Sequence, residues 1–308
     1  MFRKSLILIF FIVALGGLNR PAEAAGYTET RYPIVLAHGA SGFDELFGVI
    51  DYFFGIANSL SSGGADVYLT EVSQFNDTEL RGAQLLAQVE EIVAITGAGK
   101  VNLIGHSHGG LDSRYGAAMR PDLVASVTSV GTPHRGAELA DLLRSSFSNG
   151  SFGEGILSFF ADSLGTILAL LSGTSNPQDA VAALESLTTA GTTEFNAAYP
   201  QGLPTSNCGS GPAQVGGIYY FSWSGARSAT NLLDVSDVPL VLTSFFYSEP
   251  NDGLVGKCSS NLGDVIRNDY KQNHLDEVNQ VFGLVHLFSS NPKSIFRAHA
   301  NRLRNMGL

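Results

Sequence analysis

The chain has 308 residues, 44% of them apolar and 15% charged, which excludes a disordered or coiled-coil protein and suffices for one large core or two small ones. Acidic side chains outnumber basic ones 28 to 18, a formal charge of -10, so no broad basic surface is available to meet nucleic-acid phosphates. Two cysteines are too few for a disulfide-scaffolded mini-protein or an iron–sulfur protein.

The chain opens on Met1-Phe2-Arg3-Lys4, followed by the uncharged run Leu6–Leu18 and by Ala22-Glu23-Ala24. A basic start, a short apolar core and an A-x-A exit predict a secretory signal peptide over residues 1–24, cleaved after Ala24. The apolar run is shorter than the roughly 20 residues a spanning helix needs. Residues 25–308 are then expected as a single soluble domain outside the cytoplasm. That compartment permits a Cys208–Cys258 disulfide, the alternative being two separate buried thiols.

Tyr32–His38 is a short apolar run closed by Gly39 and predicts a buried strand, with a second strand over Asp66–Val72. Asn76–Ile95 predicts a helix, with Asn76 as cap, Glu79 completing a capping box, and a face through Leu80, Ala83, Leu86 or Ala87, Glu90 and Val93. Val101–Gly105 predicts a strand, Leu111–Met119 a helix stopped near Pro121, and Val124–Val130 another strand. Strands alternating with helices predict an α/β fold, a mainly parallel central sheet flanked by helices. A Ser/Gly-rich segment, Phe147–Gly155, precedes ILSFFADSLGTILALL at 156–171. The apolar stripe of that segment is wide. It predicts either a buried core helix or a mobile cover hinged at the Ser/Gly segment. Pro177–Ala198 contains another helix, Ile218–Trp223 and Leu240–Phe246 predict strands, and helices are expected around Leu275–Phe282 and Pro292–Leu303.

Gly105-His106-Ser107-His108-Gly109 is a G-x-S-x-G motif between an apolar strand and a helix. A strand-to-helix turn this tight strains the serine backbone, needs small flanking residues, and exposes the hydroxyl at a helix N-terminus. Ser107 is the expected nucleophile. The oxyanion of a tetrahedral intermediate needs donors, expected from the backbone N–H groups of His108 and of Ala40, which follows the His38-Gly39 strand end. His106 and His108 are read as structural rings around the elbow. The base should lie late in the chain, among His274, His286 and His299. His274 is preferred because it sits in a polar loop, Lys271–Asp276, whereas His299 lies in a basic terminal helix and His286 follows an apolar stretch. The acid should fall between nucleophile and base. Asp252, in the polar turn Asn251–Val255, competes with Asp234, Asp237 and Glu249.

The strings YPIVLAHG (32–39), VNLIGHSHGG (101–110), ATNLLDVSD (229–237), NDGLVG (251–256) and NHLDEVNQVFGL (273–284) resemble those of the bacterial true lipases of the Pseudomonas and Burkholderia type, within the α/β-hydrolase fold. The resemblance covers essentially all of the mature chain. It implies a Ser107–His274–Asp252 triad, a Cys208–Cys258 disulfide and a helical lid within about residues 150–173. It also implies one structural calcium ion on the carboxylates of Asp234 and Asp276 and the carbonyls of Gln280 and Leu284, hard oxygen ligands that suit the ion. Such lipases hydrolyse long-chain acylglycerols at lipid–water interfaces, commonly with a dedicated foldase during export through the periplasm; a secreted monomer is expected. Two departures stand out: Ala40 replaces a bulkier apolar residue, and Leu111 stands where relatives often carry proline. An esterase for short soluble esters would share the triad and lack an interface-binding lid. A non-catalytic lipid-binding protein would be expected to lack a catalytic residue, and none is missing.

Overall fold

The computed structural model describes residues 26–40, 45–46, 50–149 and 178–308. The expected signal peptide and the expected lid lie outside the described residues. Strands β1 (Ile34–Ala37), β4 (Val67–Thr70), β5 (Val101–His106), β6 (Val124–Val130), β7 (Gln214–Val215), β8 (Ile218–Gly225) and β9 (Asp264–Tyr270) form one sheet. Its order is β4-β1-β5-β6-β8-β7, with β9 also on β8. Only the β7–β8 pair is antiparallel. Glu45–Leu46 (β2) and Ile50–Asp51 (β3) form a separate small ladder.

Side chains alternate faces along a strand, and β1 shows what that does. Val35 and Ala37 join one buried cluster with Leu103, Val127 and the helix residues Leu85 and Val89. Ile34 and Leu36 join the opposite cluster with Ile104, Ile56, Trp223 and Phe296. The central strands are buried on both faces, which is why they read as unbroken apolar runs. Helices α2 (Thr78–Thr96) and α3 (His108–Met119) cover the first face; α1 (Ile56–Ser61) and α8 (Pro292–Asn305) cover the second. Asn291 caps α8, accepting from the Lys293 N–H at 2.9 Å, and Pro292 follows where its missing N–H costs nothing.

Several expectations need correction. The cap of α2 is Asp77, whose carboxylate accepts from the Leu80 N–H at 2.8 Å; Asn76 instead accepts from Asp77. The buried face of α2 runs through Thr78, Arg81, Gly82, Leu85, Val89 and Ile92, not through Leu80, Ala83 and Glu90. Gly82 is needed there because an added Cβ would fall 2.5 Å from the Tyr115 ring, and Arg81 meets a carboxylate of α3. After helix α4 (Glu138–Asn149), Pro177–Ala198 holds two helices, α5 (Ala180–Ser186) and α6 (Thr189–Ala198). Leu240–Phe246 is not a strand; it lies largely in helix α7 (Asp237–Ser244), which buries Leu240 and Thr243, three residues apart on one face. Leu275–Phe282 is not a regular helix. A short 3-10 turn at Asp276–Val278 gives way to positive φ at Asn279, Val281 and Phe282. Strand β9, half-buried and polar, was not anticipated. No helix among the described residues is long and apolar enough to cross a membrane.

Candidate active site

Strand β5 ends at His106 and α3 begins at His108, so Ser107 alone makes the turn between them. Its backbone adopts φ 55° and ψ -127°, a conformation that costs a non-glycine residue about 1–3 kcal/mol. The flanking glycines are steric necessities. A Cβ on Gly105 would stand 2.1 Å from the Gly109 carbonyl oxygen, and one on Gly109 would stand 2.4 Å from that of Ala37. The turn after β1 presses against the serine: a Cβ on Gly39 would lie 2.7 Å from Ser107 Cβ. The His108 N–H opens α3, where no intrahelical acceptor exists for it. Ala40 follows Gly39 on that turn, half-buried.

That turn is fixed by buried partners. Arg81 Nη2 donates to the His38 carbonyl at 2.9 Å, while Arg81 Nε donates to Asp112 of α3 at 3.0 Å. His38 Nε2 accepts from the Val72 N–H at 3.1 Å, so its Nδ1–H donates to the Gly39 carbonyl at 2.8 Å. Burial pushes the His38 imidazole down to about 3, with Arg81 adding to the effect, so this ring is neutral. His108 Nε2 pairs with Thr78 Oγ1 at 2.8 Å. Both motif histidines are fully buried and engaged by structural partners, as expected of rings that brace an elbow.

Beyond β8 and β9, two loops bring an acid to a base. His274 Nδ1 stands 2.8 Å from Asp252 Oδ2. The other oxygen of Asp252 accepts from the N–H groups of Leu254 at 2.8 Å and Val255 at 2.7 Å. The His274 N–H donates to the Asp252 carbonyl at 3.0 Å, so backbone and side chain both tie the loops together. With Nδ1–H directed at the carboxylate, Nε2 carries the lone pair of the neutral ring. The His274 ring lies against that of His106, with centroids 4.5 Å apart, which sets the base beside the elbow.

The competing residues are occupied elsewhere. Asp237 accepts from the N–H groups of Thr230 and Asn231, each at 2.7 Å, and from Asn273 Nδ2 at 2.9 Å. Glu249 accepts from the Cys258 N–H at 3.0 Å. His299 is buried against Thr128, while His286 is half-buried and not in the core. Cys208 and Cys258 are joined in a disulfide.

Sequence reasoning missed two side chains at this site. Tyr52 reaches both Gly39 and His106 through its hydroxyl. Glu277 is buried beside the acid and accepts from the Gly225 N–H. Burial, then the charge of Asp252, hold its carboxyl well above the usual carboxylate range. No local pattern in the sequence marks either residue. His106, His274 and Glu277 offer ligand atoms within 4.8 Å of one another, a grouping that could hold a metal ion, although two imidazoles do not suit calcium. The oxygen-rich candidates lie nearby. Asp234 Oδ2 and Asp276 Oδ1 are buried and lack a hydrogen-bond partner. Burial, with Asp234 and Asp237 adding to it, raises Asp276 to about 7. Such a pair fits a cation.

The chain matches the alpha/beta hydrolase fold family over residues 32–260. It is 55% identical over 284 residues to a triacylglycerol lipase of Vibrio cholerae, an overlap of 92% of this chain and 91% of that one. It is 46% identical over 289 residues to a triacylglycerol lipase of Pseudomonas fragi, covering 91% and 98% respectively. The crystal structure of Bacillus licheniformis lipase BlEst2 in mature form superposes with a TM-score of 0.61 at 23% identity, covering 92% of this chain and 96% of that one, a likeness of fold.

Proposed function

The chain belongs to the α/β-hydrolase fold family and, within it, to the triacylglycerol lipases, and on that premise we propose a secreted enzyme that cleaves long-chain acylglycerol esters at lipid–water interfaces through an acyl-enzyme on Ser107. The observation that carries this reading is the 2.8 Å contact of Asp252 with His274 on loops that bring the imidazole against the strained serine elbow.

Ser107 Oγ attacks the ester carbonyl carbon as His274 Nε2 takes its proton. Asp252 keeps the Nδ1–H tautomer and stabilises the imidazolium. The N–H groups of Ala40 and His108 meet the oxygen on which charge develops. Collapse expels the alcohol, which leaves with the proton from His274. Water, deprotonated by the same ring, then attacks the acyl-enzyme; the tetrahedral species collapses as the ring returns that proton to Ser107 Oγ, and the fatty acid is released.

Around this centre we assign five supporting features. Residues 150–173 form the lid, whose apolar stripe covers the site or meets lipid. One calcium ion would be held by the carboxylates of Asp234 and Asp276 with the carbonyls of Gln280 and Leu284. Its charge would offset two buried acids and hold the His274 loop to the segment around Asp234. Residues 1–24 direct export, and a dedicated foldase assists folding in the periplasm. The mature chain acts as a monomer.

The test is the initial rate of the foldase-assisted protein on an emulsifiable triglyceride, run through the solubility limit with calcium present and chelated. A rate jump above the limit and a loss on chelation are expected. A curve that saturates below the limit, with no gain on emulsion, would instead indicate an esterase for soluble substrates.

A further inference from the structure

Three groups that the catalytic reading leaves unused form one continuous chain at the site. The Gly39 N–H donates to Tyr52 Oη at 3.1 Å. Tyr52 Oη stands 2.6 Å from His106 Nδ1. His106 Nε2 stands 3.0 Å from the carbonyl oxygen of His274. All of these side chains are buried, so no bulk water competes for their bonds.

Donor and acceptor accounting gives the chain a direction. A peptide carbonyl can only accept, so His106 Nε2 must carry hydrogen. The reverse tautomer would set a nitrogen lone pair against an oxygen lone pair at 3.0 Å. With the single ring hydrogen on Nε2, Nδ1 of this buried ring is bare. It must then accept from the Tyr52 hydroxyl, whose oxygen in turn accepts from Gly39. Glu277 Oε2, 3.5 Å from the same Nε2, is a longer second neighbour on the donor side.

We infer that Tyr52 and His106 are positioning residues, a one-way hydrogen-bond relay that locks the oxyanion turn at Gly39 to the backbone of the catalytic base His274. Gly39 precedes the proposed donor Ala40, and the two ends of the relay come from opposite ends of the sequence. The elbow strand lies between them, so donor, nucleophile and base share one frame before substrate arrives. Preorganisation of this kind is where electrostatic catalysis gains most. The inference rests on the acyl-transfer reading above.

Two measurements test it. In the wild-type protein, long-range 15N–1H correlations of His106 should report Nε2–H with a bare Nδ1. An Nδ1–H ring would overturn the relay whether or not any variant folds. In Tyr52→Phe, which removes one oxygen atom, kcat on a soluble p-nitrophenyl ester and the rate constant for phosphonylation of Ser107 should both fall on the order of 10-fold, the usual scale for one buried hydrogen bond. KM and the fraction of titratable sites should stay unchanged. Full rates, or a reduced titre with full rate per site, would make Tyr52 structural only and overturn the proposal. Ser107→Ala separates the two readings: activity surviving that change refutes the acyl-transfer premise, while the tautomer measurement still judges the relay.

Discussion

The nucleophile and its two helpers stand in regions built on different plans. Ser107 sits on a turn between a buried strand and a buried helix, and its backbone is constrained chiefly by contiguous glycines and close backbone packing. Asp252 and His274 sit on long connections after β8 and β9, held by side chains distant in sequence: each other, the disulfide between Cys208 and Cys258, and Asp237, which accepts from Asn273 beside the base. The first region is set by sterics, which tolerate little substitution. The second is set by pairwise bonds, each of which can be removed singly.

That contrast predicts graded consequences. Asp252→Asn should leave the fold intact and reduce kcat by about 10^4-fold, because an amide favours the wrong His274 tautomer; stopped-flow or steady-state rates on a soluble ester measure it. Retention of a tenth of the activity would mean that another group holds the imidazole. Gly109→Ala acts on the other region, where the new Cβ would meet the Ala37 carbonyl at 2.4 Å. A loss of about 4 kcal/mol or more in denaturant unfolding, or failure to fold, is expected. Normal stability there would refute the steric account of the elbow. Replacing both Cys208 and Cys258 by serine opens a loop of 50 residues. Unfolding free energy should fall by up to about 4 kcal/mol, while the rate per folded molecule changes little.

The smallest effect concerns the core behind the nucleophile. His299 is buried against Thr128 and Arg302, and burial lowers it to about 3 from 6.5. Above pH 6.5 neither state binds the proton. As pH falls from 6.5 towards 3, only the unfolded chain takes it up, so this residue makes the fold less stable in acid. Relative to His299→Asn, the wild type should lose about 1.4 kcal/mol per pH unit in that window. Parallel stability curves would show that the ring is protonated inside the fold.

The same contrast explains what could be read in advance. Apolar runs and the glycine-flanked serine carry their geometry in adjacent residues, so β1, β5, β6 and the elbow were legible. On the residues alone Asp252 competed with three other acids, and it was the resemblance to known lipases that singled out its pairing with His274, now seen at 2.8 Å. Tyr52 and Glu277 escaped notice because a tyrosine after a small ladder and a glutamate beside Asp276 have no local signature. The face of α2 was misplaced for a related reason. Arg81 reads as a surface residue until Asp112 and the His38 carbonyl are seen around it. α7 was mistaken for a strand because β-branched and aromatic residues dominate a segment that packs on one side only.

The most direct measurement is covalent labelling of the folded protein with a p-nitrophenyl alkylphosphonate, mapped by peptide mass. One equivalent on Ser107, with loss of hydrolysis in step and no labelling in His274→Ala, is the predicted result. Full hydrolysis with Ser107 unlabelled, or labelling at another residue that abolishes activity, would contradict the account.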